Sequence, residues 1–470
     1  RLRFDIEADP RAPIAAHIEI SFDLARASGD LQLDFREEAT NILAVQSNGN
    51  EVDVRVEKEH VIVPAADLRS GRNVLRIEFL AGSSSLNRNP GYLYTLLVPD
   101  RARTLFPLFD QPDLKARYEL TLVLPQGWKA LSSAPVIDVI TREERSEHRF
   151  APSDLISSYL FSFVAGQFEA VTRDIDGRSM TLLHRETDAE KLERNVDAIF
   201  ELHAASVAWM EAYTGIDFPF QKLDFALIPS FQYRGMEHVG AILYRASQLL
   251  LDEAASDSEL LQRAQLIAHE TAHMWFGDLV TMQWFDDVWT KEVFANFMAG
   301  KIVNPGFPDI DHDLNFLVEH YPQAYAVDRS QGPNPIRQPL PNLKEAGQMY
   351  GAIIYHKAPI MMRQLEQFVG AQAFRDGLAE YLKTYAYSNA TWPDLIAILD
   401  ARTASDLAAG ARSGSIPLAG RTSSLLRPGP GYSMPGNCAS SIRPGRAGSG
   451  HSGSRCWPFQ KMAATTKHWQ

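Results

Sequence analysis

The chain has 470 residues, a formal net charge of -12 and an isoelectric point near 5.6. This length suits two or three domains, and a content of 45% hydrophobic and 22% charged residues is ordinary for globular protein. The acidic balance argues against nucleic-acid binding, and the sequence has no apolar run of the roughly 18 residues that a membrane span needs.

Cysteine usage excludes a fold that depends on disulfides. The cysteines are Cys438 and Cys456, so residues 1–437 contain none. This composition fits a reducing compartment and is compatible with the periplasm as well. We expect a cytoplasmic protein. Periplasmic or secreted locations stay open, because the chain begins at Arg1 rather than Met and an upstream segment is not visible.

The first 182 residues are predicted to form a β-rich domain, a saddle or a sandwich. Apolar and polar residues alternate with the period of strands at 14–22, 52–56, 74–79 and 118–124. Turn signals such as Asn48-Gly49-Asn50 and Pro125-Gln126-Gly127 separate strand-like segments. Many antiparallel strands with short turns are typical of this architecture.

The periodicity changes to that of helices after about residue 185. Apolar residues recur at helical spacing over 188–213, and strands are predicted at 223–228 and 239–244. Further helices are predicted at 258–276, 287–303, 350–368 and 371–385. Residues 183–403 are therefore predicted to form a mainly helical domain with a small mixed sheet, which makes the chain an α+β multidomain protein.

The composition changes again near residue 404. Residues 404–470 contain eight Lys and Arg residues against one acidic residue, Asp406, and ten of the 29 glycines. Such a segment cannot bury enough apolar surface to offset its ordering entropy. We predict a disordered tail over 404–470. The reversed charge is foreign to the rest of the chain and leaves open whether this segment is native sequence.

The sequence His269-Glu270-Thr271-Ala272-His273 contains the candidate metal ligands. On a helix, His269 and His273 share one face, and Glu292 follows His273 nineteen positions later on the next predicted helix. Two imidazoles and one carboxylate leave a zinc coordination position open, which marks a catalytic site. Glu270 lies beside the ion, where a general base can take a proton from the attacking water. The pentapeptide alone also occurs by chance as the polar face of a helix.

Two further side chains are candidates for the substrate end of such a site. Glu237 follows a predicted strand, where its carboxylate can bind a cation and the neighbouring backbone can pair with an extended peptide. The hydroxyl of Tyr355 stays protonated and can donate a hydrogen bond to a developing oxyanion, with Tyr350 as a backup donor. Taken alone, Glu237 is more often a loop carboxylate and Tyr355 more often a core residue.

In combination, these motifs resemble the zinc aminopeptidase family of gluzincin metallopeptidases, which includes alanyl aminopeptidases, aminopeptidase N and leukotriene-hydrolase enzymes. That family carries HExxH, then eighteen residues and a Glu. It also carries a Gly-x-Met-Glu-Asn motif, similar to residues 234–238 here, and a Tyr-x-Lys motif, similar to Tyr355-His356-Lys357. Segments 92–95 and 102–113 resemble the stretch that precedes the catalytic domain in the family. The resemblance covers about residues 1–400.

The resemblance implies a thermolysin-like catalytic domain over 183–403 that hydrolyses the amino-terminal peptide bond of peptides with a free N-terminus. It implies one Zn²⁺ per chain, held by His269, His273 and Glu292. It further implies that Glu270 activates water and that Tyr355 stabilises the oxyanion. Substrate binding would fall to four residues, with Glu237 on the free amino group: Gly235, Met236, Glu237 and His238.

Several positions depart from the family pattern. Arg234 and His238 stand where the family usually has Gly and Asn, which puts the side-chain preference in doubt. Leu96 and Val98 stand where some members have Gln and Glu that help to hold substrate. Asn296, one helical turn after Glu292, is either a hydrogen-bond partner of a ligand histidine or an ordinary surface amide.

Two alternative interpretations remain from the sequence. One is a thermolysin-like endopeptidase or a hydrolase of another bond. The other is an inactive truncated member that acts as a peptide-binding scaffold, because the helical carboxy-terminal domain of the family is replaced by the irregular tail. The sequence decides neither the preferred amino-terminal side chain nor the oligomeric state.

Overall fold

The amino-terminal part of the chain is built from β-strands, as predicted. The computed structural model describes residues 1–330, 335–404 and 407. The first strands are β1 (Leu2–Asp5), β2 (Ala15–Leu24), β3 (Leu31–Asp34), β4 (Ile42–Ser47), β5 (Asn50–Glu51), β6 (Arg55–Glu57), β7 (His60–Val63), β8 (Gly71–Leu80), β9 (Leu86–Asn89), β10 (Tyr92–Thr95), β11 (Leu120–Pro125), β12 (Lys129–Ser132), β13 (Val136–Arg142), β14 (Arg145–Phe150) and β15 (Phe163–Gly166).

These strands form three sheets that pack through aromatic side chains. The largest has eight strands in the order β13-β14-β11-β1-β2-β8-β4-β5, and the others have the orders β12-β15-β10-β9 and β3-β7-β6. The ring of Phe4 in β1 lies 5.3 Å from that of Phe163 in β15, centroid to centroid, so the apolar faces of two sheets meet. The strand predicted over 52–56 does not form as one piece, because the chain leaves the large sheet after β5 and enters the three-stranded sheet at β6.

The remaining described residues form a five-stranded sheet and a set of helices. The sheet has the order β16-β17-β18-β20-β19, formed by β16 (Glu169–Ile175), β17 (Arg178–His184), β18 (Phe225–Ile228), β19 (Gly235–Met236) and β20 (Ile242–Arg245). A two-stranded pair joins β21 (Thr281–Met282) to β22 (Asn389–Ala390). The domain boundary predicted between residues 182 and 183 falls within β17, and the division into domains stays a prediction.

The helices begin and end at residues with clear local causes. They are α1 (Ala189–Thr214), α2 (Ala246–Leu249), α3 (Asp257–His273), α4 (Val288–Val303), α5 (His312–Asp328), α6 (Ala358–Val369), α7 (Ala371–Thr384) and α8 (Trp392–Asp400). At the start of α3, Ser256 and Glu259 form a capping box. The helix ends at His273, three residues before the predicted end, because Gly277 has a φ of 127° and the backbone N–H of Asp278 turns back to the carbonyl of His273.

The segment between α5 and α6 contains helical turns that are tighter or wider than those of an α-helix. A 3₁₀ helix covers Leu343–Met349, and a π-helical turn covers Ile353–Lys357 before α6 begins. The sequence predicted one helix over 350–368 in this region. It predicted no separate boundaries for α5, which contains Pro322 in its interior.

Two further predictions from the sequence concern the carboxy-terminal tail and membrane-spanning helices. The predicted disorder of 404–470 lies outside the described residues, except for Ala404 and Leu407. Among the helices in the described part of the chain, none has both the length and the apolar character that crossing a bilayer requires.

Candidate active site

The three predicted metal ligands lie together where α3 packs against α4. The Nε2 atoms of His269 and His273 are 3.1 Å apart, and Glu292 Oε2 lies 3.6 Å from the first and 3.8 Å from the second. Donors about 2.0–2.1 Å from a tetrahedral zinc ion are separated from one another by roughly 3.3 Å. The spacing of these three atoms therefore fits a zinc ion.

The imidazole of His273 is held in the tautomer that a metal ligand needs. Its Nδ1 lies 3.0 Å from the carbonyl oxygen of Phe276, and a carbonyl can only accept, so Nδ1 donates and the lone pair is on Nε2. Burial lowers the pKa of His273 to about 4, which favours the neutral ring. His269 Nδ1 is buried and has no hydrogen-bond partner in the described residues.

Glu270 occupies the position beside the ligands that a general base requires. Its carboxylate belongs to a group with His269 and His273 in which the ligand-capable atoms all lie within 4.8 Å of one another. The side chain packs directly on Gly235 of β19, where an added Cβ would stand 2.2 Å from Oε1 and 2.6 Å from Cδ. A larger residue at this motif position would therefore displace the Glu270 carboxylate. Burial raises the pKa of the Glu270 carboxyl above its usual value.

A buried lysine links the predicted amine-binding residue to a predicted metal ligand. Lys291 Nζ donates to Glu237 Oε1 at 2.5 Å and to Glu292 Oε1 at 2.7 Å, and all three side chains are buried. Burial by itself raises the pKa of Glu237, but the Lys291 ammonium outweighs that effect and the pKa falls below its usual value. Glu237 Oε2 has no hydrogen-bond donor in the part of the chain that the structure describes.

A cleft of about 1100 Å³ opens onto these side chains. It is lined by the residues named above and by cleft-wall residues that include Val98, Tyr233, Met236, Leu266, Asn296, Phe316, His320, Tyr350, Tyr355 and His356. Tyr355 lies on the π-helical turn, a distortion that is frequent at functional sites. The ring of Tyr350 is 6.5 Å from that of Tyr355, and its buried hydroxyl has no partner among the described residues.

Two residues lie differently from expectation. His238 is fully buried and does not line the cleft, whereas Gly235, Met236 and Glu237 do. After β19 the backbone makes a tight turn, in which the N–H of His238 bonds to the carbonyl of Met236 at 2.9 Å and carries the imidazole inward. Asn296 lines the cleft but forms no hydrogen bond with His269 or His273 in the described residues, where His273 pairs with a carbonyl instead.

The sequence reasoning missed Lys291, although one signal was available. Lysine is almost never fully buried unless it is paired. Lys291 stands in a strongly apolar helix, next to a carboxylate already proposed as a ligand. Its main partner, Glu237, is 54 residues away in sequence, and the two meet because α3 packs against both β19 and α4.

Two models of one peptidase family match most of the chain. The peptidase family M1 domain matches residues 199–411, and the peptidase M1 N-terminal domain matches residues 2–160. Aminopeptidase N of Streptomyces lividans is 32% identical over 408 residues, which is 83% of this chain and 46% of that protein. Leucyl aminopeptidase of Saccharolobus solfataricus is 31% identical over 363 residues, 75% of this chain and 45% of that protein. The chain therefore spans less than half the length of these two curated relatives.

Proposed function

The chain belongs to peptidase family M1, and from this premise we propose that it is a zinc-dependent aminopeptidase. The single observation that supports this most is the placement of a second carboxylate, Glu237, in one group of atoms with His273 and Glu292, all within 4.8 Å. A metal site explains the His and Glu donors, but it does not explain Glu237. A free peptide amino group does, because an ammonium is the natural partner of its unpaired oxygen.

We assign one Zn²⁺ to His269, His273 and Glu292, whose donor atoms have suitable chemistry and spacing. When bound, the ion would supply a Lewis acid for the substrate carbonyl and would make a water molecule more acidic. The three donors leave one position of a tetrahedron free. The chain's own contribution here is to hold two neutral imidazoles and one carboxylate oxygen in a buried, preorganised set.

Glu270 would act as the general base and then as the general acid. Its carboxylate takes a proton from the water that attacks the first peptide carbonyl, and it delivers a proton to the leaving nitrogen. Packing on Gly235 holds the Glu270 carboxylate in place, so the position of this proton acceptor is fixed by its neighbour. Replacement of either member of this contact should therefore impair proton transfer rather than zinc binding.

Tyr355 would stabilise the charge that develops on the carbonyl oxygen. Its hydroxyl is a hydrogen-bond donor on the cleft wall, and burial raises its pKa well above the usual value, so it stays protonated. Tyr350 is the alternative donor, since its hydroxyl is buried nearby without a partner among the described residues.

Glu237 would make the enzyme an exopeptidase. A substrate amine that reaches Oε2 places the first residue of the peptide between Glu237 and the metal ligands. A peptide whose amino group is blocked would leave that carboxylate oxygen buried and unsatisfied, which costs binding energy. Substrates should therefore be peptides with a free N-terminus.

The test compares the wild type with Glu237→Gln, which keeps an oxygen for Lys291 and removes the charge. If the wild type is an aminopeptidase, it should hydrolyse leucyl p-nitroanilide and leave the N-acetyl derivative uncleaved. Glu237→Gln should lose most of the activity toward leucyl p-nitroanilide. Glu319→Gln, a carboxylate change elsewhere in the same cleft, is the control and should retain activity. Equal cleavage of internal bonds by wild type and Glu237→Gln would favour an endopeptidase. Bound zinc without any turnover would favour a peptide-binding scaffold.

A further inference from the structure

Lys291 is buried between two carboxylates whose proposed tasks differ, one for the metal and one for the substrate amine. We propose that Lys291 is a positioning residue that limits Glu292 to one metal-facing oxygen and fixes the amine-binding oxygen of Glu237 relative to it. This inference rests on the proposed function for the roles of Glu237 and Glu292. The contacts themselves are independent of it.

Lys291 restrains one of the two carboxylate oxygens of Glu292. Its Oε1 accepts a hydrogen bond from Lys291 at 2.7 Å, while Oε2 faces the two imidazole nitrogens at 3.6 and 3.8 Å. A carboxylate free of such a bond can turn both oxygens toward a metal ion, as ligating carboxylates often do. Because an ammonium holds Oε1, Glu292 offers one oxygen to the ion, and the remaining coordination position stays available to water and substrate.

Lys291 also holds one carboxylate oxygen of Glu237. Its Oε1 accepts from the same ammonium at 2.5 Å, and its Oε2 is without a donor among the described residues. Lys291 Nζ therefore connects Glu292, the proposed metal ligand, to Glu237, the proposed amine-binding residue, through two short hydrogen bonds. The separation between the metal-facing oxygen and the amine-facing oxygen is then set by three packed side chains. That separation determines which peptide bond of a bound substrate lies at the site.

Lys291 itself is immobilised by its neighbours. Its side chain is 3% exposed, and the ring of Tyr159 lies 5.8 Å from Nζ. Gly277 packs against the aliphatic stem, where an added Cβ would be 3.3 Å from Lys291 Cβ and 3.4 Å from Cδ. The side chain of a surface lysine is mobile, whereas the aliphatic stem and the ammonium of Lys291 are both fixed by neighbouring residues.

The test uses Lys291→Met, which keeps the length of the stem and removes the ammonium. The variant should retain zinc, because all three donors remain. X-ray absorption at the zinc edge should show one additional oxygen ligand, since Glu292 is free to bind through both oxygens. For leucyl p-nitroanilide, kcat should fall about 100-fold, the loss expected for misplacement by about 1 Å. KM should rise as well, because burial raises the pKa of Glu237 once the ammonium is removed and its negative charge for the amine is weakened.

Lys301→Met is the matched control. Lys301 lies on the same helix, lines the same cleft and pairs with Glu366 at 2.7 Å, far along the helix from the metal ligands. This variant should show the wild-type zinc environment and kcat. An unchanged zinc coordination number and kcat in Lys291→Met would overturn the inference, and so would loss of zinc from that variant. If the wild type lacks turnover while Lys291→Met still gains the oxygen ligand, the proposed function fails and the restraint on Glu292 stands.

Discussion

Gly235→Ala tests whether the general base is held by direct packing on β19. The change adds one methyl group at a position whose backbone is in an ordinary conformation, so the effect is steric. The added carbon would stand 2.2 Å from Glu270 Oε1, 2.6 Å from Cδ and 2.8 Å from Cγ. Three consecutive atoms of one side chain are affected, so rotation of the carboxylate alone does not relieve the overlap.

The magnitude follows from the distance that Glu270 must move. Ordinary contacts of a Cβ begin at 3.4 Å, so the carboxylate must shift by more than 1 Å. A displacement of about 1 Å of a reacting group costs roughly 100-fold in rate, or about 2.7 kcal/mol at 1.36 kcal/mol per factor of ten. Zinc should remain bound, because the three atoms nearest to the new methyl group all belong to Glu270, which is not one of the proposed ligands.

The assay measures kcat for leucyl p-nitroanilide together with zinc per chain. Gly29→Ala is the control, since a Cβ there meets nothing within 4 Å. We expect a loss of about 100-fold in kcat for Gly235→Ala at full zinc content and wild-type values for Gly29→Ala. A Gly235→Ala enzyme with wild-type kcat would refute the assignment of Glu270 as a base held by this contact.

Two further predictions concern the oxyanion and acid stability. Tyr355→Phe should lower kcat by about 10²–10³-fold while zinc is retained. Tyr350→Phe is measured beside it. An unchanged kcat in Tyr355→Phe would assign the stabilisation of the oxyanion to Tyr350 or to another residue. His203 is buried between the carbonyl of Ile199 and the hydroxyl of Tyr244, and burial lowers its pKa to about 4, so stability is lost as pH falls through the window between 6.5 and 4. Between pH 7 and pH 5, the free energy of unfolding measured with urea should fall by about 2 kcal/mol less in His203→Gln than in the wild type. Parallel dependences of this free energy on pH in the two proteins would contradict a neutral, buried His203.

The approach of His269 and His273, two of the proposed metal ligands, could be predicted because it depends on short-range geometry. His269 and His273 are four residues apart on one helix, so their approach follows from the helical repeat alone. The period of the apolar residues also predicted α1 and α4, and among the strands β2, β8, β11, β18 and β20. The end of α3 was predicted three residues too late, since the backbone of Gly277 and not apolar periodicity stops the helix.

The features that the sequence did not reveal depend on contacts between distant segments. Lys291 and Glu292 are neighbours in the chain, yet their shared ion cluster includes Glu237, the residue that directly follows β19. The inward orientation of His238 depends on a turn after β19 that motif matching cannot show. The π-helical turn that carries Tyr355 likewise has no signature in hydrophobic spacing, because it changes the phase of a helix without changing which residues are apolar.

The most direct measurement of the central claim is zinc per chain and turnover of leucyl p-nitroanilide in three proteins: the wild type, Glu270→Ala and His273→Ala. The site described here predicts one zinc and turnover in the wild type, one zinc without turnover in Glu270→Ala, and loss of both in His273→Ala. Equal loss of zinc from the two variants, or full turnover by either of them, would contradict the roles assigned to these side chains.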